Sequence, residues 1–156
     1  MKISSCMKRM VFSIQASATI GDAVGIFIDK HIGLLPVVDE RGRPVGVLGL
    51  REMLSLALPS FVDLIGDLDF VKDFGAVENA QPAAEILARP VTTLMKPATT
   101  VKENSGLLRA YAFMIQHKLH DLPVVSEDGA LSGIASRVDV GTAILASWQN
   151  RKGVGL

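Results

Sequence analysis

An internal repeat constrains the fold of this chain more than any other feature of its sequence. A shift of 87 positions places LPVVDERGRPVGVLGL at 35–50 on LPVVSEDGALSGIASR at 122–137 without a gap, and seven residues are identical. Two copies of one short unit are expected to fold alike, and neither copy is long enough to bury both of its faces alone. We therefore expect two similar halves that pack face to face and share a hydrophobic core.

Hydrophobic spacing around the aligned segments predicts the elements of each half. Apolar residues precede both segments at intervals of three and four, which indicates an amphipathic helix. They are Ile20, Val24, Phe27 and Ile28 in the first half, and Leu107, Tyr111, Met114 and Ile115 in the second. The aligned segments are typical of two strands joined by a turn that contains glycine, and a second helix follows at about 51–58 and about 137–148. The order strand, helix, strand, strand, helix predicts an α+β fold.

Composition argues against several functional classes. Hydrophobic residues make up 49% of the chain and the mean hydropathy is +0.35, but no apolar run reaches the roughly 18 residues that a membrane span needs. The formal net charge is zero and only 5% of the residues are aromatic, so no nucleic-acid-binding surface is expected. High apolar content without net charge favours association, and we expect a homodimer.

The N-terminal residues indicate where the chain works. MKISSCMKRMVF contains basic residues but no apolar segment behind them, so no export signal is predicted. Cys6 is the only cysteine and cannot form an internal disulfide, which is typical of a reducing compartment. The sequence therefore predicts a cytoplasmic location.

The ordered motifs of the two halves resemble one known family. An apolar helix, LPVV, a turn with glycine and then GIASRVDV at 133–140 resemble the cystathionine-β-synthase (CBS) domain, and the lead-in VTTLMKPATTV at 91–101 has Met95 at the usual methionine position. Two such repeats, packed pseudo-symmetrically, resemble the tandem pair called a Bateman module. The resemblance implies CBS repeats at 3–58 and 90–148, separated by a helical insert at 59–89 and followed by a tail at 149–156.

The resemblance also implies a ligand and the residues that bind it. CBS pairs commonly hold AMP, ADP, ATP or S-adenosylmethionine in clefts between the repeats. The implied site residues are Ser136 and Asp139 for phosphate and ribose, Ile134 beside the base, Thr99, Thr100 and Val101 for its edge, and His120 for phosphate. A carboxylate can accept hydrogen bonds from both ribose hydroxyls, and a serine at a helix N-terminus lies where free N–H groups favour an anion.

Ser136 and Asp139 also have a purely structural interpretation. A serine followed three residues later by an acid is the pattern of a capping box, in which the two residues satisfy free backbone N–H groups at a helix start. The sequence leaves capping and ligand binding open for this pair.

The first repeat and the start of the second LPVV motif depart from the family pattern. Gly49 and Glu52 stand where the second repeat has Ser136 and Asp139, so the first repeat lacks the hydroxyl and has a longer acid. Asp121 follows His120 where relatives that hold phosphate often have arginine, and a carboxylate there repels phosphate. A mononucleotide or a neutral adenosine ligand fits this pattern better than a polyphosphate.

Catalytic and metal sites have little support in the sequence. His117 and His120 could face one metal ion, but no other ligand has a recognised spacing, and a histidine at a helix end suits the dipole. Cys6 could be a nucleophile, yet nothing around it resembles an activating environment. The chain has no phosphate-binding glycine loop and no zinc-protease motif. We therefore expect no enzyme activity and no required cofactor.

The insert between the repeats has its own apolar pattern. Phe61, Leu64, Ile65, Leu68 and Val71 have helical spacing and alternate with acidic residues, which predicts an amphipathic helix over 59–76. This helix could pack on the repeats or contact a partner, and we favour packing. A shorter helix is predicted at about 82–88.

Two functions remain open at the level of sequence. The first is a stand-alone regulatory module that senses an adenosine-containing ligand and modulates an unidentified protein. The alternative is an interaction or scaffold module whose cleft binds nothing, with Ser136 and Asp139 serving only as a helix cap.

Overall fold

The computed structural model describes residues 1–58 and 81–151. In chain order, the elements are β1 (Ile14–Gln15), α1 (Ile20–Lys30), β2 (Leu34–Val38), β3 (Pro44–Gly49), α2 (Leu50–Ser55), α3 (Ala84–Leu87), β4 (Val101–Lys102), α4 (Leu107–Gln116), β5 (Asp121–Val125), β6 (Leu131–Ser136) and α5 (Arg137–Arg151). Short 3-10 helices at Ile3–Ser5 and Val91–Thr93 open the two repeats. The predicted α+β fold and the order of its elements are confirmed. The helix predicted for 59–76 lies outside the described residues.

Each repeat forms its own small sheet. Within the described residues the strand orders are β1-β2-β3 and β4-β5-β6, with the first strand of each sheet parallel to the middle one and the third antiparallel. The hairpin turns contain Gly42 and Gly129 with φ of 75° and 87°, a region that side chains disfavour. The backbone N–H of Leu131 donates to the Gly42 carbonyl at 2.9 Å, so β6 contacts the first repeat's hairpin turn.

Three helix boundaries differ from the predicted ones. α2 ends at Ser55 instead of 58, where the Ser55 hydroxyl donates to the Glu52 carbonyl and competes with the helical hydrogen bonds. α3 begins at Ala84 instead of 82, because Ala83 has an extended ψ of 148°. α5 continues past 148 to Arg151.

The opening segments of the two repeats, residues 3–12 and 91–100, each pair with the last strand of the other repeat. Lys8 and Ile134 exchange two backbone hydrogen bonds of 2.8 and 3.0 Å, which join the first opening segment to β6. Lys96 and Val47 exchange bonds of 2.9 and 2.8 Å, which join the second opening segment to β3. The two halves are thus held together by the backbone itself.

The hydrophobic cores follow the same exchange. Ile3 and Met7 are buried among residues of the second repeat, including Leu122 and Val124. Val91 is buried in the cluster of the first repeat, with Leu35 among its neighbours. Neither core is complete without a segment that belongs to the other repeat in the sequence.

No helix among the described residues is both long enough and apolar enough to cross a membrane.

A glycine in β6 tests whether the exchanged pairing determines stability. A Cβ at Gly133 would lie 2.8 Å from both the Lys8 carbonyl oxygen and the Met7 sulfur, whereas a Cβ at Gly141 in α5 would meet nothing within 4 Å. We expect Gly133→Ala to lower the free energy of unfolding by about 1–3 kcal/mol through overpacking. Gly141→Ala, the matched control, should raise it by about 0.5–1 kcal/mol through helix propensity. Urea unfolding of the three chains measures both effects, and equal midpoints would contradict the tight pairing.

Candidate ligand-binding cleft

Ser136 and Asp139 form a complete capping box at the start of α5. The backbone N–H of Asp139 donates to the Ser136 hydroxyl oxygen at 3.0 Å, and the Ser136 N–H donates to Asp139 Oδ2 at 2.9 Å. These reciprocal bonds satisfy two amide groups that the helix itself leaves free. The structural role proposed for the pair is therefore present.

The capping box leaves further hydrogen-bonding capacity unused. Within the described residues, neither Asp139 Oδ1 nor the Ser136 O–H proton has a hydrogen-bond partner. Lys8 Nζ lies 3.9 Å from Asp139 Oδ2, and the Asp139 side chain is 21% exposed. One acceptor and one donor at this helix start thus stay available to a ligand.

A cavity of about 360 Å³, here called the cleft, lies between the two repeats. The first repeat contributes its opening segment and the turn after α1, and the second contributes the start of β5 and the middle of β6. The lining residues are Lys8, Met10, Val11, Phe12, Lys30, His31, Ile32, Gly33, Leu34, Asp121 and Ile134. This volume is within the range of small-molecule sites.

The structure brings together only some of the residues predicted for the site. Ile134 lines the cleft, whereas Ser136 and Asp139 are not among the lining residues. Lys8, which lines the cleft, lies 3.9 Å from Asp139. His120 is an exposed side chain outside the lining, although its carbonyl accepts from the Arg137 N–H at 3.0 Å.

Thr99, Thr100 and Val101 lie elsewhere. Thr100 and Val101 line a separate cavity of about 320 Å³ beside α4, and Thr99 lines neither of the two cavities. Lys96 pairs with β3 of the first repeat, but Val101 belongs to β4 and pairs in register with Val124 of β5, so this end of the segment stays with the second repeat. The backbone that adjoins Ile134 is the segment from Lys8 to Phe12, which sequence reasoning missed. The matching Met–Lys pairs at 7–8 and 95–96 were the signal that the segments are equivalent.

Asp121 brings a carboxylate into the cleft. Burial raises the pKa of Asp121 above its ordinary value, the charges of a protonated His120 and of Lys8 offset only part of that increase, and the charge of Asp139 adds to it. Asp121 Oδ2 lies 3.9 Å from the position of a Cβ on Gly33, so the carboxylate reaches the lining of the opposite repeat.

In the first repeat, the place that corresponds to Ser136 and Asp139 is occupied by the side chain of Glu52. Glu52 Oε1 lies 2.7 Å from Lys96 Nζ, and a Cβ at Gly49 would overlap the Glu52 carboxylate. Burial alone would raise the pKa of Glu52, but the hydrogen bond from Lys96 and those from backbone N–H groups hold the pKa below its ordinary value. The longer acid therefore occupies the space where a serine side chain would begin.

Comparison with known proteins assigns the family. The model of the CBS domain matches residues 3–58 and 84–146. The chain belongs to the CBS domain family. The two matched segments and the fold make it a tandem CBS pair, as the repeat predicted.

Individual relatives are similar over most of this CBS pair. The CBS domain-containing protein CBSX2, chloroplastic, from Arabidopsis thaliana is 29% identical over 139 residues, which cover 85% of this chain and 58% of that protein. The chain thus spans less than two thirds of that relative. The crystal structure of CBSX2 in complex with AMP has a TM-score of 0.69 and 25% identity, covering 93% of this chain and 96% of that one.

A more distant structure shares the fold. The CBS domain pair of protein MJ0100, in complex with methylthioadenosine and S-adenosyl-L-methionine, has a TM-score of 0.67 and 16% identity. The match covers 94% of this CBS pair and 98% of that chain.

The surroundings of Cys6 and His117 do not favour catalysis or metal binding by these side chains. Burial, followed by the charge of Asp139, raises the pKa of the Cys6 thiol, which disfavours the nucleophilic thiolate. His117 ends α4 and its ring lies 4.4 Å from that of Phe113. Across residues 1–58 and 81–151, no three His, Cys, Asp or Glu residues are grouped as metal ligands would be.

The Glu52–Lys96 ion pair makes stability depend on pH. The pKa of Glu52 is lower in the folded chain than in the unfolded one, so the carboxylate stabilises the fold above the unfolded pKa. That contribution is lost as the pH falls through the folded pKa. We expect Glu52→Gln to lower the free energy of unfolding by about 0.5–1.5 kcal/mol at neutral pH, since Lys96 is largely exposed, and by much less near pH 3.

Urea unfolding of parent and variant across this pH range measures the difference. Glu40→Gln is the control, because Glu40 is an exposed acid in a hairpin turn. A difference between parent and Glu52→Gln that stays constant with pH would contradict the ion pair.

Proposed function

We propose that this CBS pair is a regulatory module that binds an adenosine-containing ligand in the cleft and modulates a partner protein. The observation that carries the proposal is a cavity of about 360 Å³ formed by both repeats beside a capping box with an unused donor and acceptor. The candidate ligands are AMP, ADP, ATP and S-adenosylmethionine. The similarity to CBSX2, whose structure is a complex with AMP, supports this class.

The ribose would be held at the start of α5. Asp139 Oδ2 is committed to the helix cap, which fixes the carboxylate and leaves Oδ1 to accept from ribose hydroxyls. The Ser136 O–H can donate to a ligand oxygen. Asp139 is not among the lining residues, and Lys8, which is, lies 3.9 Å from Asp139 Oδ2, so a ligand that contacts Asp139 competes with the exposed Lys8 side chain.

The base would lie against apolar parts of both repeats. Ile134 comes from β6, while Met10, Val11 and Phe12 come from the exchanged opening segment. A ligand in this position contacts both repeats at once, so it favours whichever relative arrangement of the repeats binds it best. A partner protein that binds one arrangement of the repeats better than the other would then respond to an occupied cleft. The role is regulatory, and no catalytic step is proposed.

The alternative is a scaffold whose cleft stays empty. The capping box supports it, because helix stability alone accounts for both Ser136 and Asp139. Thermal unfolding with AMP, ADP, ATP and S-adenosylmethionine distinguishes the two functions. A ligand at about a hundred times its dissociation constant adds roughly 2.7 kcal/mol of stability, and no shift with any of the four would favour the scaffold.

Asp139 distinguishes the cap from the ribose clamp. In the first repeat, Glu52 at the equivalent position lies at the N-terminus of α2 and reaches its lysine, so Asp139→Glu should keep the stability of the parent within about 0.5 kcal/mol. The same change displaces Oδ1, so the affinity for AMP and for S-adenosylmethionine should fall about tenfold to a hundredfold. Asp139→Asn should lose affinity as well, with about 0.5–1 kcal/mol of stability.

Calorimetric titration and thermal melts of the same samples measure both effects. Glu52→Asp is the binding control, because Gly49 still provides no hydroxyl and the first-repeat position should bind no more ligand than before. If the parent binds either compound tightly and Asp139→Glu binds it equally well, Asp139 is only a cap.

We further propose that the module is a homodimer and that it works in the cytoplasm. Large apolar side chains are exposed on several helices of the described residues: Ile28, Leu54, Leu108, Ile115, Val138, Leu145 and Trp148. Exposed apolar faces of this kind are typical of contacts between protein copies. Fractionation of the native cell tests the location.

A charge on the exposed face of α5 tests the dimer. Leu145 is 54% exposed, and Leu145→Glu should convert the dimer to a monomer at micromolar concentration because a carboxylate would be buried between copies. Asn150→Asp adds the same charge at an exposed polar position about 140° around the same helix from Leu145 and should leave the dimer intact. Light scattering of the parent and both variants gives the masses. A monomeric parent would overturn the proposal.

A further inference from the structure

The charged residues around the cleft do not balance. Lys8 lies 3.9 Å from Asp139, and Lys30 lies 3.0 Å from Asp29, so each lysine that lines the cleft already faces a carboxylate. Asp121 also lines the cleft, but within the described residues no cation lies within ion-pair distance of its carboxylate, and no hydrogen bond reaches it. With neutral histidines, one negative charge is left over.

Asp121 occupies a position where this charge acts on any ligand in the cleft. It is the first residue of β5 and pairs in register with Ser136, the residue that caps α5. The first repeat has Leu34 at the equivalent place, in register with Gly49, so only one side of the cleft carries the charge. Asp121 is half-buried, the field of Lys8 offsets only part of the effect of burial, and no described cation lies within ion-pair distance of the carboxylate, so a positive group on a ligand would supply a direct partner.

We propose that Asp121 determines the charge of the ligand, so that the cleft prefers an adenosine compound with a sulfonium group to an uncharged thioether analogue or an adenosine phosphate. This inference rests on the proposed function, since it concerns the same cleft. Phosphate oxygens near the Asp121 carboxylate are repelled, whereas a cation there is attracted. The two lysines match only two of the three carboxylates at the cleft, Asp29, Asp139 and Asp121, so a phosphate adds to an existing excess of negative charge wherever the Lys8 side chain lies.

Two matched compounds isolate the effect of charge. S-adenosylmethionine and S-adenosylhomocysteine differ by the one methyl group that makes the sulfur positive, and AMP carries a phosphate on the same adenosine. In calorimetric titrations of the full chain, the parent should bind S-adenosylmethionine at least about tenfold more tightly than either of the other two.

Asp121→Asn keeps the size of the side chain and removes its charge. We expect the preference for S-adenosylmethionine over S-adenosylhomocysteine to fall to about threefold or less, while AMP binds at least about threefold more tightly. Glu40→Gln removes the same charge from an exposed turn away from the cleft lining and should leave all three affinities unchanged.

Salt gives a test that needs no variant. In the parent, raising the ionic strength should weaken the binding of S-adenosylmethionine and strengthen that of AMP, because screening reduces both attraction and repulsion. Equal affinities for the three compounds, unchanged by salt and by Asp121→Asn, would overturn the role of Asp121 and leave the proposed function intact. If the parent and Asp121→Asn bind none of the three, the proposed function and this inference fail together.

Discussion

The structure depends on the backbone pairing between each opening segment and the last strand of the other repeat. Lys8 pairs with Ile134 and Lys96 pairs with Val47, and each pairing is close enough that only glycine fits beside it, at Gly133 and Gly46. The same segments bring a methionine and a β-branched residue into the opposite core, Met7 with Ile3 in one and Met95 with Val91 in the other. The cleft is a consequence of this pairing, because the residues that follow Lys8, from Met10 to Phe12, form one of its walls.

Local features of the fold were predictable from the sequence, and the exchange was not. The helices follow from apolar spacing, and the hairpins follow from glycines that adopt positive φ at Gly42 and Gly129. These patterns are short-range and occur twice. Which strand an opening segment pairs with depends on long-range contacts. The repeat shows that the two segments are equivalent, but it does not show which half of the chain each one pairs with. The family resemblance assigned Thr99, Thr100 and Val101 to the edge of the base, whereas the segment that lies beside Ile134 is the one from Lys8 to Phe12.

Capping and ligand binding are compatible roles for the Ser–x–x–Asp pattern. A carboxylate has two oxygens, and the cap of α5 uses Oδ2 while Oδ1 has no partner within the described residues. The cap also reduces the freedom of the Asp139 side chain before any ligand arrives, which lowers the entropy lost on binding. The structural interpretation of this pair therefore supports the functional one instead of competing with it.

The asymmetry of the two repeats follows from the length of one side chain. Glu52 and Asp139 occupy equivalent positions, and each faces a lysine from an exchanged opening segment. The longer acid reaches its lysine at 2.7 Å and fills the space beside Gly49, while the shorter one stays 3.9 Å away. The short ion pair leaves the Glu52 carboxylate already bound to Lys96. The longer Lys8–Asp139 contact is more easily separated by a competing group, which favours the second repeat as the proposed ligand position, near Asp121.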